Sequence, residues 1–154
     1  MDARAEVQEI LSEFARSIEL EELSLDDNDS CRLGFDGDLF VDIDYDAVEH
    51  RLMMSTNLGS PPAASAADTY EAALRNNALW TERVATIAID GATGQLMLLQ
   101  PVAAGRLDAQ AFAARLEGVV QAARGWRALV ARAAADPDET SPAGQDVDGF
   151  AIKV

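Results

Sequence analysis

The sequence predicts an α+β fold, an antiparallel sheet of about five strands with three helices in the order α-β-β-β-α-β-β-α. Three observations predict it. Apolar residues alternate at 31, 33 and 35 and again at 39, 41, 43 and 45, the period of half-buried antiparallel strands around a turn. Residues 2–20 and 107–134 instead repeat their apolar side chains every three or four positions, the period of helices with one buried face. Two further strand-length runs flank Asp90-Gly91-Ala92-Thr93-Gly94, whose glycines suit left-handed turn positions.

A chain of 154 residues fits one domain, expected over residues 1–134, with an acidic and mobile C-terminal tail over residues 135–154. Hydrophobic residues make up 49% of the chain, enough to build a core. The formal charge of −15 argues against nucleic acid or an anionic membrane as partner and favours a basic segment. One cysteine excludes an intrachain disulfide, and Cys31 on the apolar face of a strand reads as a core thiol in reducing cytosol. Met1–Glu6 has no apolar signal core, and no run approaches the roughly 20 apolar residues of a membrane span. A soluble protein that is not exported is expected.

In the first helix, Val7, Ile10, Leu11, Phe14 and Ile18 form a stripe opposite Glu6, Gln8, Glu9, Glu13 and Arg16. The stripe either packs on the sheet or leaves part of itself as a groove for a partner. Leu20–Ser30 reads as an acidic connector. In the hairpin that follows, a two-residue loop would pair Cys31 with Asp42 and bring a carboxylate into the core. A three-residue loop, Asp36-Gly37-Asp38, pairs Phe35 with Leu39, Leu33 with Val41 and Cys31 with Ile43, all on one face. The opposite face then carries Arg32, Gly34, Asp42, Asp44 and one aromatic, Phe40.

Arg51–Asn57 reads as the third strand, with Leu52 and Met54 on one side and Met53 on the other. Methionine pairs suit an irregular core and a permissive binding surface equally. Gly59-Ser60-Pro61-Pro62 breaks the sheet, and a second helix is expected from Asp68, as a cap closed by Glu71, to about Trp80. Its apolar residues are few and Asn76-Asn77 interrupts them, so it suits packing on a symmetry mate. Val84–Ile89 and Gln95–Gln100 form a hairpin apolar on both faces, one of which needs cover from a second subunit. Asp108 caps the third helix and Leu107 staples onto Phe112. Its stripe, Phe112, Leu116, Val119, Val120, Ala123, Trp126 and Val130, runs to roughly Ala134.

No catalytic constellation is legible, because His50 is the single histidine and stands in a charged turn, while Cys31 reads as buried. Asp26-Asn28-Ser30 and Asp42-Asp44-Asp46 lack the glycine and distant glutamate of a calcium loop, and there is no Walker loop or Cys/His cluster. No metal and no cofactor are expected.

The amphipathic opener around Ile10-Leu11-Phe14, the Leu33-x-Phe35 hairpin, Leu58-Gly59 before the proline break, Leu74-x-Asn76-Asn77-x-Leu79, and Leu107-Asp108 before a helix bearing Trp126-Arg127 occur in a telling order. Over roughly residues 4–132 the chain resembles the class I type III secretion chaperones, also called the Tir chaperone or CesT-like family. The resemblance implies a bacterial cytoplasmic homodimer without enzymatic activity. Such a dimer holds the N-terminal chaperone-binding segment of a secreted effector extended, stable and export-competent, and the secretion ATPase is a further partner it allows. It implies partner-binding residues Leu11, Phe14, Ile18, Phe40 and Met53, and a dimer interface of Leu74, Leu79, Trp80, Ile87 and Met97. The alternative is a small α+β ligand-binding protein or enzyme using the acidic cluster Asp36, Asp38 and Asp42, and a third reading is a scaffold with an unrelated partner.

Overall fold

The computed structural model describes residues 2–83 and 85–135; the expected acidic tail lies outside the described residues apart from Ala135. Eight elements follow the expected order: α1 (Ala3–Ser17), β1 (Ser30–Phe35), β2 (Leu39–Asp46), β3 (Arg51–Gly59), α2 (Ala66–Ala78), β4 (Thr86–Ile89), β5 (Leu96–Ala103) and α3 (Ala109–Ala135). The strands form one antiparallel sheet in the order β1-β2-β3-β5-β4.

The register of β1 and β2 is that of the three-residue loop: Phe35 faces Leu39, Leu33 faces Val41, and Cys31 faces Ile43. Asp36 and Gly37 take positive φ of 51° and 83°, which the turn requires and glycine adopts without steric cost. Since side chains alternate, one inner face gathers Leu33, Leu39, Val41, Ile43, Leu52, Met54, Leu96 and Leu98, all buried. Helices α1 and α3 pack against this face and each other, with Phe14 of α1 meeting Phe112 of α3 edge to face at 5.0 Å. Thr56, buried on the same face, donates its hydroxyl to the Phe40 carbonyl at 2.6 Å and so introduces no unpaired polar group.

The acidic connector is more ordered than its composition suggests. Leu23 and Leu25 are buried, and Gln8 of α1 bonds the chain on both sides, donating to the Leu23 carbonyl at 3.0 Å and accepting from the Leu25 N–H at 3.0 Å. Arg4 donates to Asp29 at 2.5 Å and to the Asp26 carbonyl at 3.0 Å. The charged composition hides two apolar anchors that only α1 makes useful.

Helix α2 begins two residues before the expected cap. Ser65 occupies the N-cap position with its hydroxyl turned back to the Pro62 carbonyl, and Asp68 stands in the first turn, where its charge suits the helix dipole. Asp108 does cap α3, accepting from the Ala111 N–H at 2.7 Å. In the β4–β5 turn, the Ala92 N–H and the Thr93 hydroxyl hold the Asp90 carboxyl below its ordinary pKa.

Candidate functional site

The second face of the sheet has no helix on it among the described residues. Reading across, it presents Arg32 and Gly34 of β1, Phe40, Asp42 and Asp44 of β2, Met53, Ser55 and Asn57 of β3, and Met97, Leu99 and Pro101 of β5. Phe40 is 46% exposed and dominates the β1–β2 side. Its ring leans over Gly34, where an added Cβ would come within 3.2 Å of Cε1. The Arg32 guanidinium sits 5.7 Å above the ring, anchored by Nε to Asp42 at 2.6 Å. An aromatic held flat beneath a cation and beside a bare glycine forms a shallow apolar platform with a charged rim.

Met53 is half-buried on the same face but not beside Phe40. It pairs with Asp44 on one side and Pro101 on the other, whereas the register carries Phe40 toward Asn57. Met97 shares this face, opposite Asn57 and Ala88. The open face therefore has two apolar areas, Phe40 near β1 and the Met53, Met97, Leu99 and Pro101 group on β3 and β5.

Two residues expected at the partner surface lie inside the protomer. Leu11 is fully buried and Phe14 nearly so, because the stripe of α1 spends its central turns on α3 and the sheet. Ile18, one turn later and just beyond the helix end, is 51% exposed. The stripe thus divides into a packed part and a free end, a split that periodicity cannot mark.

A similar split divides the residues expected at a dimer interface. Leu74 and Trp80 are 70% and 77% exposed, and Leu79 is also exposed. Ile87, in contrast, is buried within the protomer. The Asn77 amide explains its position: it donates to the Ile87 carbonyl at 2.8 Å and accepts from the Ile87 N–H at 2.9 Å. Asn76 donates to the Ala85 carbonyl at 3.2 Å. Both backbone groups of Ile87 point away from β5, so Asn77 seals the outer edge of β4 as another strand would. These asparagines, which looked like interruptions of an apolar face, fasten α2 to the sheet, and the spacing of α2 gave no sign of it.

The acidic cluster is divided among separate ion pairs. Asp36 pairs with Arg124, Asp38 with Arg127 at 3.4 Å, and Asp42 with Arg32, so the first two tie the β1–β2 turn to α3. No group of three or more His, Cys, Asp or Glu that could hold a metal ion occurs among the described residues. His50 accepts or donates at Nδ1 with the Tyr45 hydroxyl at 3.0 Å, an arrangement that braces the β2–β3 turn. Cys31 is half-buried on β1, and burial, assisted by Asp44, Asp26 and Asp42, pushes its thiol up to about 12, the opposite of what a nucleophile needs. No described helix is long and apolar enough to cross a membrane.

Comparison with known proteins agrees with the architecture. The chain is similar to a protein in the crystal structure of the ExsC–ExsE complex, at 26% identity and a TM-score of 0.76, covering 84% of this chain and 97% of that one. It is also similar to a chain in the HopA1–SchA chaperone–effector complex, at 21% identity and a TM-score of 0.72, covering 82% and 96%. A third likeness, at 19% identity and a TM-score of 0.63, covering 76% and 96%, is to the structure of the Yersinia pestis type III secretion chaperone SycH with a fragment of YscM2. No curated protein sequence matches the chain. The family described as Tir chaperone protein (CesT) matches residues 9–127. That match spans the interval from the middle of α1 to the last third of α3, and the chain belongs to the Tir chaperone (CesT) family.

Proposed function

We propose that this protein is a type III secretion chaperone that binds the N-terminal segment of a secreted effector in extended form and keeps it soluble and export-competent. The family match over residues 9–127 carries the reading. The shallow apolar face built on Phe40, Met53, Met97 and Leu99 supports it physically, because an extended segment places alternate side chains on such a surface and offers its backbone to a sheet edge. The protein acts by binding alone: a partner held unfolded has its folding equilibrium shifted by mass action, with no catalytic step and no nucleotide. Its place of action is the bacterial cytoplasm, where effectors await export.

It works as a homodimer in this reading. Leu74, Leu79 and Trp80 supply exposed apolar surface on and just after α2 that a second copy covers, and two symmetry-related sites raise the effective concentration of the second contact. The decisive experiment is a titration of the N-terminal segment of a secreted protein encoded beside this chain, by calorimetry, with wild type and Phe40→Glu. The variant should keep the wild-type circular dichroism and thermal midpoint while losing at least about tenfold in affinity, or about 1.4 kcal/mol. Unchanged affinity would remove Phe40 from the site, and a persistent monomer in light scattering at micromolar concentration would remove the dimer.

A further inference from the structure

On the open face of the sheet, β2 presents Phe40, Asp42, Asp44 and Asp46 in a row, and the fold treats the three carboxylates differently. Asp42 is gripped by Arg32 through two hydrogen bonds, from Nε at 2.6 Å and from Nη2 at 3.0 Å. Asp46 faces Arg51 across the ladder, with Nη2 at 3.3 Å, and accepts from the Val48 and Glu49 N–H groups, each at 3.1 Å. Asp42 and Asp46 thus each have an arginine of their own. Asp44 has none: its carboxylate accepts from the Ser30 hydroxyl, and no cationic side chain among the described residues comes within ion-pair distance. It is exposed, and Met53, half-buried, stands directly opposite it on β3.

We propose that Asp44 is a second anchor of the effector site, taking a lysine or arginine of the bound segment four residues away from the apolar residue that lies on Phe40. The inference rests on the chaperone reading and names the chemistry of the segment that this face selects.

The spacing follows from strand geometry. Phe40 and Asp44 are separated by four residues of β2, about 13 Å. A segment held extended along that strand has the same rise, so two of its side chains four positions apart face the sheet at the same separation. Asp42 lies between them with its charge already met by Arg32, so the middle position selects no cation.

The chemistry of the second position follows from its neighbours. A lysine or arginine fits it with both of its parts, since the aliphatic stem covers the Met53 side chain while the charged head reaches the carboxylate. An acidic side chain would meet an uncompensated carboxylate on a chain of charge −15. An apolar one would take Asp44 out of water with no cation to replace it.

The test is a double-mutant cycle by calorimetry between the full-length chain and the N-terminal segment of the secreted protein encoded beside it. Asp44→Asn removes the charge and keeps an oxygen to accept from Ser30, so circular dichroism and the thermal midpoint should match wild type. Its affinity for the segment should fall about three- to fivefold, the upper range for an exposed ion pair. Replacing one particular Lys or Arg of the segment by Ala should cause a similar loss with wild type and no further loss with Asp44→Asn. That residue should have an apolar neighbour four positions away, whose own replacement by Ala has no further effect once Phe40→Ala is in place. Ser30→Ala, which loses the hydrogen bond and keeps the charge, should bind like wild type. Affinity unchanged by Asp44→Asn, losses that simply add for every basic residue of the segment, a coupled basic residue with no apolar partner at that spacing, or an equal loss in Ser30→Ala would each overturn the anchor and leave the chaperone reading standing. A segment that does not bind wild type at all would overturn the chaperone reading, and the anchor with it.

Discussion

Phe40 departs from the apolar alternation of β2 because its neighbour across the ladder is a glycine. Gly34 gives the ring a floor to lie on, and Arg32, held by Asp42, covers part of its upper face. The same strand shows how position governs reactivity. Cys31 is partly desolvated beside three carboxylates, so its thiol titrates near 12 in the folded chain against about 9 when unfolded. The folded state therefore holds more protons than the unfolded one between these values, and this group's contribution to stability falls as pH rises from about 9 to 12. Alkylation should be slow at pH 8 and still accelerating above pH 10, as a stopped-time mass assay can follow; a rate that levels off at pH 9 would refute the shift. Phe14 illustrates the reverse error of expectation, since a large side chain at helical spacing looks identical in sequence whether it faces a partner or Phe112.

Helix α2 carries two separate duties at the scale of an element. Asn76 and Asn77 bind it to β4, while Leu74, Leu79 and Trp80 stand exposed. Asn77→Ala should leave the Ile87 N–H and carbonyl unpaired, costing about 1–3 kcal/mol in a urea melt and promoting aggregation through the reopened edge. A melt identical to wild type would show that another group seals β4. Leu74→Glu combined with Trp80→Glu should convert the dimer to a folded monomer by light scattering, with little change in helix content because both side chains are solvent-exposed in the protomer. A dimer that survives the pair would place the interface elsewhere. The asparagines and the exposed apolar residues together explain the sparse apolar content of α2.

The whole molecule is strongly acidic, and its −15 charge acts on association more than on the fold. Encounter with a basic effector segment should be steered by that charge, so the association rate should fall roughly tenfold between about 20 and 300 mM salt while the dissociation rate changes little. Stopped-flow fluorescence separates the two, and a salt-independent association rate would assign binding to apolar contact alone. Two of the arginines of α3, Arg124 and Arg127, offset the carboxylates of the β1–β2 turn.

Sequence alone determined the element order, the hairpin register from Cys31 to Ile43 and the cap at Asp108, because each depends on a local period or a local hydrogen bond. It also separated Phe40 from the core, since strand alternation admits no intermediate face. Tertiary structure alone decided which of Leu11, Phe14 and Ile18 stays exposed, that Ile87 is sealed by Asn77, and that Asp36, Asp38 and Asp42 are parted into three ion pairs. The physical reason is common to all three: each outcome depends on a neighbour distant in sequence, and a helix stripe or a carboxylate has the same local pattern whichever neighbour the fold supplies.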